Sequence, residues 1–286
     1  MIGSRSVRLF HASVLIRRTS RSFSSPSETI RTQYSNVDLR EVENLSKQST
    51  EWWDPHGPIR GLHAMNTLRV PLIRDGLIAT GTVEKNRINK PNVLENLNIL
   101  EVGCGGGILT EALARLRANV VGIDPSEKLI KVAGEHAKES TSLKPEHIQY
   151  HTETIEQHAA KNAEHYDAVV ASEVLEHVND KVAFIEQCLN ALKPGGSLFI
   201  TTINKTTPSW LGAIVAAEQI FKLVPEGTHD WDKFISPLDL QRILTSYSCN
   251  TILIHGMFYQ FWSNQWCWAQ NTDINYALHA VKSKEL

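Results

Sequence analysis

The stretch Asn98–Asp124, NILEVGCGGGILTEALARLRANVVGID, limits what this chain can fold into more than any other part of it. It reads as an apolar strand, a glycine-rich turn, an amphipathic helix and a second strand that ends in an acid. Gly103, Gly105, Gly106 and Gly107 allow the backbone to take positive φ and to admit a ligand where a Cβ would obstruct it. The helix that follows turns its first N–H groups toward that ligand. This is the layout of a nucleotide site at the carboxyl end of a parallel sheet.

Spacing narrows the nucleotide. The dinucleotide pattern G-x-G-x-x-G requires glycine at position 108, which here is Ile108, so the run is G-x-G-x-G. No nearby Lys or Arg takes up phosphate charge, and Asp124 ends the next strand, where a carboxylate accepts from both ribose hydroxyls. An adenosine without phosphates fits these features. S-adenosylmethionine is such a ligand, and an acid, then GxGxG, then an acid-ending strand is the pattern of class I methyltransferases. Three other readings stay open: a tight turn in an unliganded α/β domain, a nicotinamide-dependent oxidoreductase, and a non-catalytic subunit that keeps the cofactor fold to organise an assembly.

Beyond Asp124, strand and helix keep alternating. Ser126–Glu139 reads as helix and Ile148–His151 as a short strand with Glu153 and Thr154 at its end. Tyr166–Ala171 reads as a strand buried on both faces, Asp180–Leu192 as a helix stopped by Lys193-Pro194-Gly195-Gly196, and Ser197–Thr202 as the next strand. Thr251–Tyr259 and Gln265–Ala269 read as the last two strands. The predicted fold is α/β, Rossmann-like and doubly wound, on a mostly parallel seven-stranded sheet. Gly103, Asp124, Glu153 and Ser172 all fall at carboxyl ends of strands, where ligands bind in such sheets.

Upstream, Tyr34–Trp53 has the pattern of a helix laid over the domain, ending near Asp54-Pro55. Pro58–Ile78 continues it, carrying Arg69, with a break expected at Pro71. Residues 34–80 are thus a helical extension, and 81–96 a polar loop. The tryptophans Trp262, Trp266 and Trp268 read as core and rim packing rather than a binding box.

The net charge of −2 hides an asymmetry: residues 1–27 carry Arg5, Arg8, Arg17, Arg18 and Arg21, many serines and no acid. That is the profile of a mitochondrial transit peptide, with residues 28–286 forming a single domain. Removing five positive charges from −2 leaves −7 on the remainder, which argues against nucleic acid as a partner. The four cysteines show no CxxC spacing and are expected to be reduced. No window is apolar over the length a membrane span needs.

A second constellation follows the fourth strand: Ser172-Glu173-Val174-Leu175-Glu176-His177. If Glu173 begins a helical turn, the rotation of about 100° per residue gathers Glu173, Glu176 and His177 in an arc of about 100°. Two carboxylates and an imidazole on one face invite a cation. The alternative is a packed turn that the histidine caps.

LEVGCGGGILTEALAR, SEVLEHV, LKPGG and the distal VPEGTHDWDKFISP together resemble the ubiquinone-biosynthesis O-methyltransferases, over about Asn36–Ala280. The resemblance implies methylation of polyprenylated catechols and demethylubiquinol-type hydroquinones. It further implies S-adenosylmethionine contacts at Arg69, Gly103, Asp124 and Ser172, and Mg²⁺ held by Glu173, Glu176 and His177. A peripheral place on the matrix side of the mitochondrial inner membrane, within a multiprotein synthesis complex, is implied as well. In the chemistry, Glu173 and His177 are the candidate catalytic groups. Mg²⁺ seldom chooses imidazole, so His177 is open to two roles, ligand or general base. Residues 205–233 are expected to form a membrane-facing lid. Its segment 208–224 is apolar around most of its circumference, which suits either an interfacial helix meeting a polyprenyl tail or a buried core helix.

Overall fold

Eight strands pair into one sheet in the order β3-β2-β1-β4-β5-β8-β6-β7. They are β1 (Asn98–Val102), β2 (Asn119–Ile123), β3 (Ile148–His151), β4 (Tyr166–Ser172), β5 (Leu192–Ile203), β6 (Cys249–Gln260), β7 (Gln265–Ala269) and β8 (Asn275–Lys282). The computed structural model describes residues 36–206 and 233–284. The transit segment 1–27, residue Tyr34 and nearly all of the lid lie outside the described residues.

β1 to β5 pair in parallel, β8 runs antiparallel to β5, and β6 antiparallel to β8. β6 therefore points the same way as β1 to β5, and among the described strands only β7 and β8 run against the rest. The sheet is mostly parallel, as expected, but has one strand more than expected. β8, NYALHAVK, slots between β5 and β6 and is buried along most of its length. Its alanines carry no strand preference, so only pairing on both edges makes it a strand.

Helices cover both faces. They are α1 (Leu39–Ser46), α2 (Arg60–Ala79), α3 (Ile108–Arg115), α4 (Glu127–Glu139), α5 (Ile155–Ala159), α6 (Lys181–Ala191) and α7 (Pro237–Ser246). Period-two alternation along the central strands feeds two cores. Val169, Ala171, Leu198 and Ile200 pack toward Phe184, Ile185 and Leu189 of α6 and Leu240 and Leu244 of α7. Ala168, Val170 and Phe199 pack toward Met65, Ile73 and Leu77 of α2 and Leu109 and Leu113 of α3.

Pro71 does not break the helix as expected: α2 runs through it from Arg60 to Ala79. A proline inside a helix costs roughly 3 kcal/mol through a lost hydrogen bond and a ring clash. Burial of Met65, Leu68, Leu72, Ile73 and Leu77 on one stripe, each worth about 1.5–3 kcal/mol, outweighs that cost.

The extension before α2 is stitched to the main body. Val37 forms a bridge with Val178, and Asn36 both donates to the Asp180 carbonyl (3.0 Å) and accepts from its N–H (2.6 Å). Of the three tryptophans read as packing, Trp266 is one: its indole N–H donates to the Gly61 carbonyl at 2.9 Å. Trp262 is not, because it stands largely in solvent.

Candidate active site

The glycine turn between β1 and α3 is built by positive-φ backbone and guarded by aromatic rings. Gly103, Gly105 and Gly107 have φ of +71°, +53° and +88°. A Cβ at Gly103 would lie 2.6 Å from a methyl of Val174, and one at Gly106 would lie 2.2 Å from Trp52 Cδ1. The N–H groups of Gly103 and Cys104 donate to the Ile123 carbonyl (2.8 and 3.0 Å), tying the turn to the end of β2.

Trp52 and Trp53 fasten the N-terminal extension onto this turn. Trp52 is buried against Gly105 and Gly106, while Trp53 Nε1 donates to the Gly106 carbonyl at 2.9 Å. The Trp53 ring stacks on His136 at a centroid separation of 3.4 Å, and His136 Nδ1 lies 2.6 Å from buried Glu111. Sequence reasoning placed Trp52 among the apolar positions of the covering helix but tied neither tryptophan to the glycine turn. The signal was there, two adjacent indoles in a polar stretch, but no spacing rule ties residue 52 to residue 106.

Asp124 ends β2 and holds the turn from its other side. Its Oδ2 accepts from Gly105 N–H (3.0 Å) and its Oδ1 from Ser126 N–H (2.8 Å). Burial pushes the carboxyl up to about 6, against those two bonds and the His177 charge. Each oxygen keeps a second lone pair for a ligand hydroxyl. Below it, Glu101 of β1 is buried, accepts from Thr110 Oγ1, and is pushed up to about 7 by burial.

A cavity of about 120 Å³ opens beside the turn. Gly103, Asp124, Glu153, Glu173 and His177 line it, and Asn36, Val37, Asp38, Val42 and Leu45 of the extension form a further wall. Glu153 is steered by a network the sequence did not reveal. Its carboxylate accepts from Lys161 Nζ (2.8 Å) and meets His158 Nδ1 (3.1 Å), and His158 Nε2 lies 2.6 Å from the Tyr166 hydroxyl. Burial raises the Glu153 carboxyl, but Lys161 and His158 together outweigh it and hold it below the usual range.

Arg69, Ser172 and Glu176 do not line the cavity; they lie behind it. Arg69 is buried on α2 and donates to the Leu62 carbonyl (2.9 Å), Asn66 Oδ1 (2.7 Å) and Ser172 Oγ (3.0 Å). Ser172 Oγ lies 2.8 Å from Thr201 Oγ1, which donates to Glu173 Oε1 at 2.7 Å. A polar relay thus joins Arg69 to Glu173 through two hydroxyls. Burial pushes the guanidinium pKa down, and the charges of Glu101 and Glu173 oppose that shift.

The expected helical turn at Glu173 does not form. Glu173 has φ of +57°, and the helical residues that follow are one 3-10 turn, Leu175–His177. The 100° rotation between neighbours therefore does not apply, and the three side chains are not gathered in the arc it predicts. Glu176 Oε2 instead accepts from Thr202 Oγ1 at 2.8 Å. Among the described residues, no group of three or more His, Cys, Asp or Glu side chains converges as metal ligands. Burial first, then the Glu176 charge, raise the Glu173 carboxyl, while the Thr201 hydrogen bond, Arg69 and His177 pull it back.

Comparison with known proteins follows this geometry. A family described as a methyltransferase domain matches residues 76–253. The mitochondrial ubiquinone biosynthesis O-methyltransferase of Rattus norvegicus is 48% identical over 248 residues, 87% of this chain and 70% of that protein. The ubiquinone biosynthesis O-methyltransferase of Aliivibrio fischeri (strain MJ11) is 39% identical over 87% of this chain and 99% of its own length. Among solved structures, the magnesium protoporphyrin IX methyltransferase of Synechocystis PCC 6803 with bound S-adenosylmethionine superposes with a TM-score of 0.53 at 19% identity, covering 92% of this chain and 100% of that one. That last likeness concerns the fold. The identity spread along nearly the whole described chain, on a sheet whose glycine turn sits where such enzymes bind their cofactor, places this protein in the family of ubiquinone biosynthesis O-methyltransferases, which depend on S-adenosylmethionine.

Proposed function

We propose that the protein O-methylates polyprenylated catechol and demethylubiquinol-type hydroquinone intermediates of ubiquinone synthesis. The observation that carries this reading is the cavity that Gly103 and Asp124 line together with Glu173 and His177. One wall suits an adenosine and the other offers a base.

S-adenosylmethionine, when bound, supplies a methyl group already activated on a sulfonium. The chain's own task is alignment and proton removal. Gly103 lets the backbone approach the cofactor, and Asp124 accepts from the ribose hydroxyls. Arg69 and Ser172 complete that side, acting from behind the cavity through the relay that ends on Glu173. A phenol has a pKa of about 10, so at neutral pH its proton must be taken as the oxygen attacks. His177 takes that proton, and Glu173 holds the resulting imidazolium by charge. With the cofactor bound, O–C bond formation would accompany C–S cleavage, and what the chain supplies is the alignment of acceptor and donor.

Glu173 and Glu176 would hold Mg²⁺, and His177 would join them as a ligand only where it is not the base. The donor set fits by charge, since two carboxylates in a buried setting gain from a cation; the separated side chains would have to draw together around it. A divalent ion there would stabilise a catecholate.

The arginine-rich segment 1–27 and the mitochondrial name of the rat relative support a mitochondrial location. A polyprenyl acceptor supports a peripheral site on the inner membrane, matrix side, with the lid of 205–233 toward the lipid and other enzymes of the pathway gathered in a complex. Among the described residues no helix is long and apolar enough to cross a membrane. The deciding experiment incubates the purified protein with methyl-labelled S-adenosylmethionine and a short-chain prenyl catechol, with and without chelator. Label on the catechol oxygen supports the reading, and its absence under all conditions overturns it.

A further inference from the structure

The β6–β7 hairpin carries chemistry that the cavity does not use. From Ile243 to Thr272 the chain contains no Asp, Glu, Lys or Arg, in a protein where 21% of residues are charged. Within this stretch the turn between the two strands exposes Phe261 by 49% and Trp262 by 67%, and Phe258 on the adjoining strand is also exposed. The two turn rings meet edge to face at 5.0 Å, so they form one aromatic unit.

The base of the hairpin is held fast. Trp266 donates to the Gly61 carbonyl of α2, Tyr259 Oη donates to Asn264 Oδ1 at 2.9 Å, and the Ser263 N–H closes the turn on the Gln260 carbonyl at 3.2 Å. A fixed base with a bare aromatic tip is what insertion requires, because little conformational entropy remains to be lost on binding.

Topology aims the tip. β6 runs in the same direction as β1 to β5, so its carboxyl end, where Phe261 begins, lies at the end of the sheet that also carries Gly103, Asp124 and Ser172. Indole and phenyl rings flanked by amides and hydroxyls match the headgroup layer of a bilayer, where the ring is apolar and its polar edge stays wet. The missing charges remove the main cost of entering that layer.

We propose that the Phe261–Trp262 tip of this hairpin inserts into the headgroup layer of a lipid bilayer and so sets the catalytic end of the sheet against the membrane surface. The insertion rests on the hairpin alone; its benefit rests on the reading that the acceptor carries a polyprenyl tail. Because apolar area drives it, binding to neutral lipid is insensitive to salt.

The test uses the full chain and phosphatidylcholine vesicles at high salt, which silences the arginines of residues 1–27. The wild type sediments with vesicles, and Phe261→Ser combined with Trp262→Ser lowers partitioning about tenfold, the equivalent of about 1.4 kcal/mol. Brominated phosphatidylcholine quenches part of the tryptophan emission, and Trp262→Phe removes that part while keeping most of the binding. Equal partitioning of the double variant, or quenching unchanged by Trp262→Phe, overturns the proposal. So does a double variant whose only defect is lost self-association in sedimentation velocity, which would make the tip a contact between copies. Methylation of a water-soluble short-chain catechol is measured in parallel and is unchanged in the double variant, whereas transfer to a long-chain acceptor in vesicles falls. A wild type that binds vesicles but methylates no catechol sinks the enzymatic reading and leaves the insertion standing.

Discussion

Arg69 and Ser172 lie 103 residues apart in the chain and meet at 3.0 Å, guanidinium to hydroxyl, in a buried contact. Through Thr201 the contact reaches Glu173, so residues on α2, β4 and β5 form a relay behind the cavity that ends on a residue lining it.

Replacing Arg69 by Met therefore tests the relay. Loss of the guanidinium leaves the Leu62 carbonyl, Asn66 Oδ1 and Ser172 Oγ without their buried donor and the Glu101 and Glu173 carboxyls without its charge, so the thermal midpoint is expected to fall. Affinity for S-adenosylhomocysteine falls, as calorimetry would record. A variant that binds the cofactor normally excludes Arg69 from the cofactor side.

Asp124→Ala removes an acceptor from two backbone N–H groups and, on the proposed reading, from the ribose. Cofactor affinity is expected to fall by roughly 1.5–3 kcal/mol, the range for a hydrogen bond to a charged group. Unchanged affinity in the same titration would leave Asp124 as a brace of the glycine turn only.

Trp52 and Gly106 form a lock between the extension and the turn. Trp52→Ala is expected to cost about 3–5 kcal/mol in urea denaturation, through lost burial and the cavity left behind. Gly106→Ala should act in the same direction, because its methyl would lie 2.2 Å from the indole. A Gly106→Ala protein as stable as wild type would mean that the lock yields.

Glu101 gives a pH signature. Its carboxyl is held at about 7, above the ordinary 4.5, so its contribution to stability is full below about 4.5 and is lost as pH rises through about 7. The apo protein's melting temperature is expected to carry a falling component between about pH 4.5 and 7, and Glu101→Gln should flatten it. Parallel pH curves for the two proteins would refute the assignment.

Metal assistance has its own readout. Chelator is expected to stop turnover, and Mg²⁺ to restore it, with cofactor binding intact. Glu173→Gln and Glu176→Gln should each raise the Mg²⁺ concentration needed for half-activity. His177→Asn, if His177 is the base, lowers turnover even at saturating Mg²⁺ and recovers partly as pH rises and the phenol ionises unaided. Full turnover in chelator would end the metal reading.

What the sequence determined by itself is what short-range periodicity and spacing encode. The β1–turn–α3–β2 unit, the strand–helix alternation and the acid at Asp124 all follow from neighbours within one element, where backbone sterics and apolar period decide the outcome. Tertiary structure alone decided the rest. β8 is a strand because two edges pair it, and α2 survives Pro71 because its stripe is buried. Trp52 and Trp53 reach Gly105 and Gly106 only when the extension folds back, and His158 meets the Tyr166 hydroxyl only when α5 comes beside the start of β4. Glu173 shows the limit most directly. A 3.6-residue period supposes a helix, and Glu173 leaves β4 in the left-handed region instead. Its N–H still donates to the Thr201 carbonyl, closing the β4–β5 ladder on a strand that no local pattern links to it.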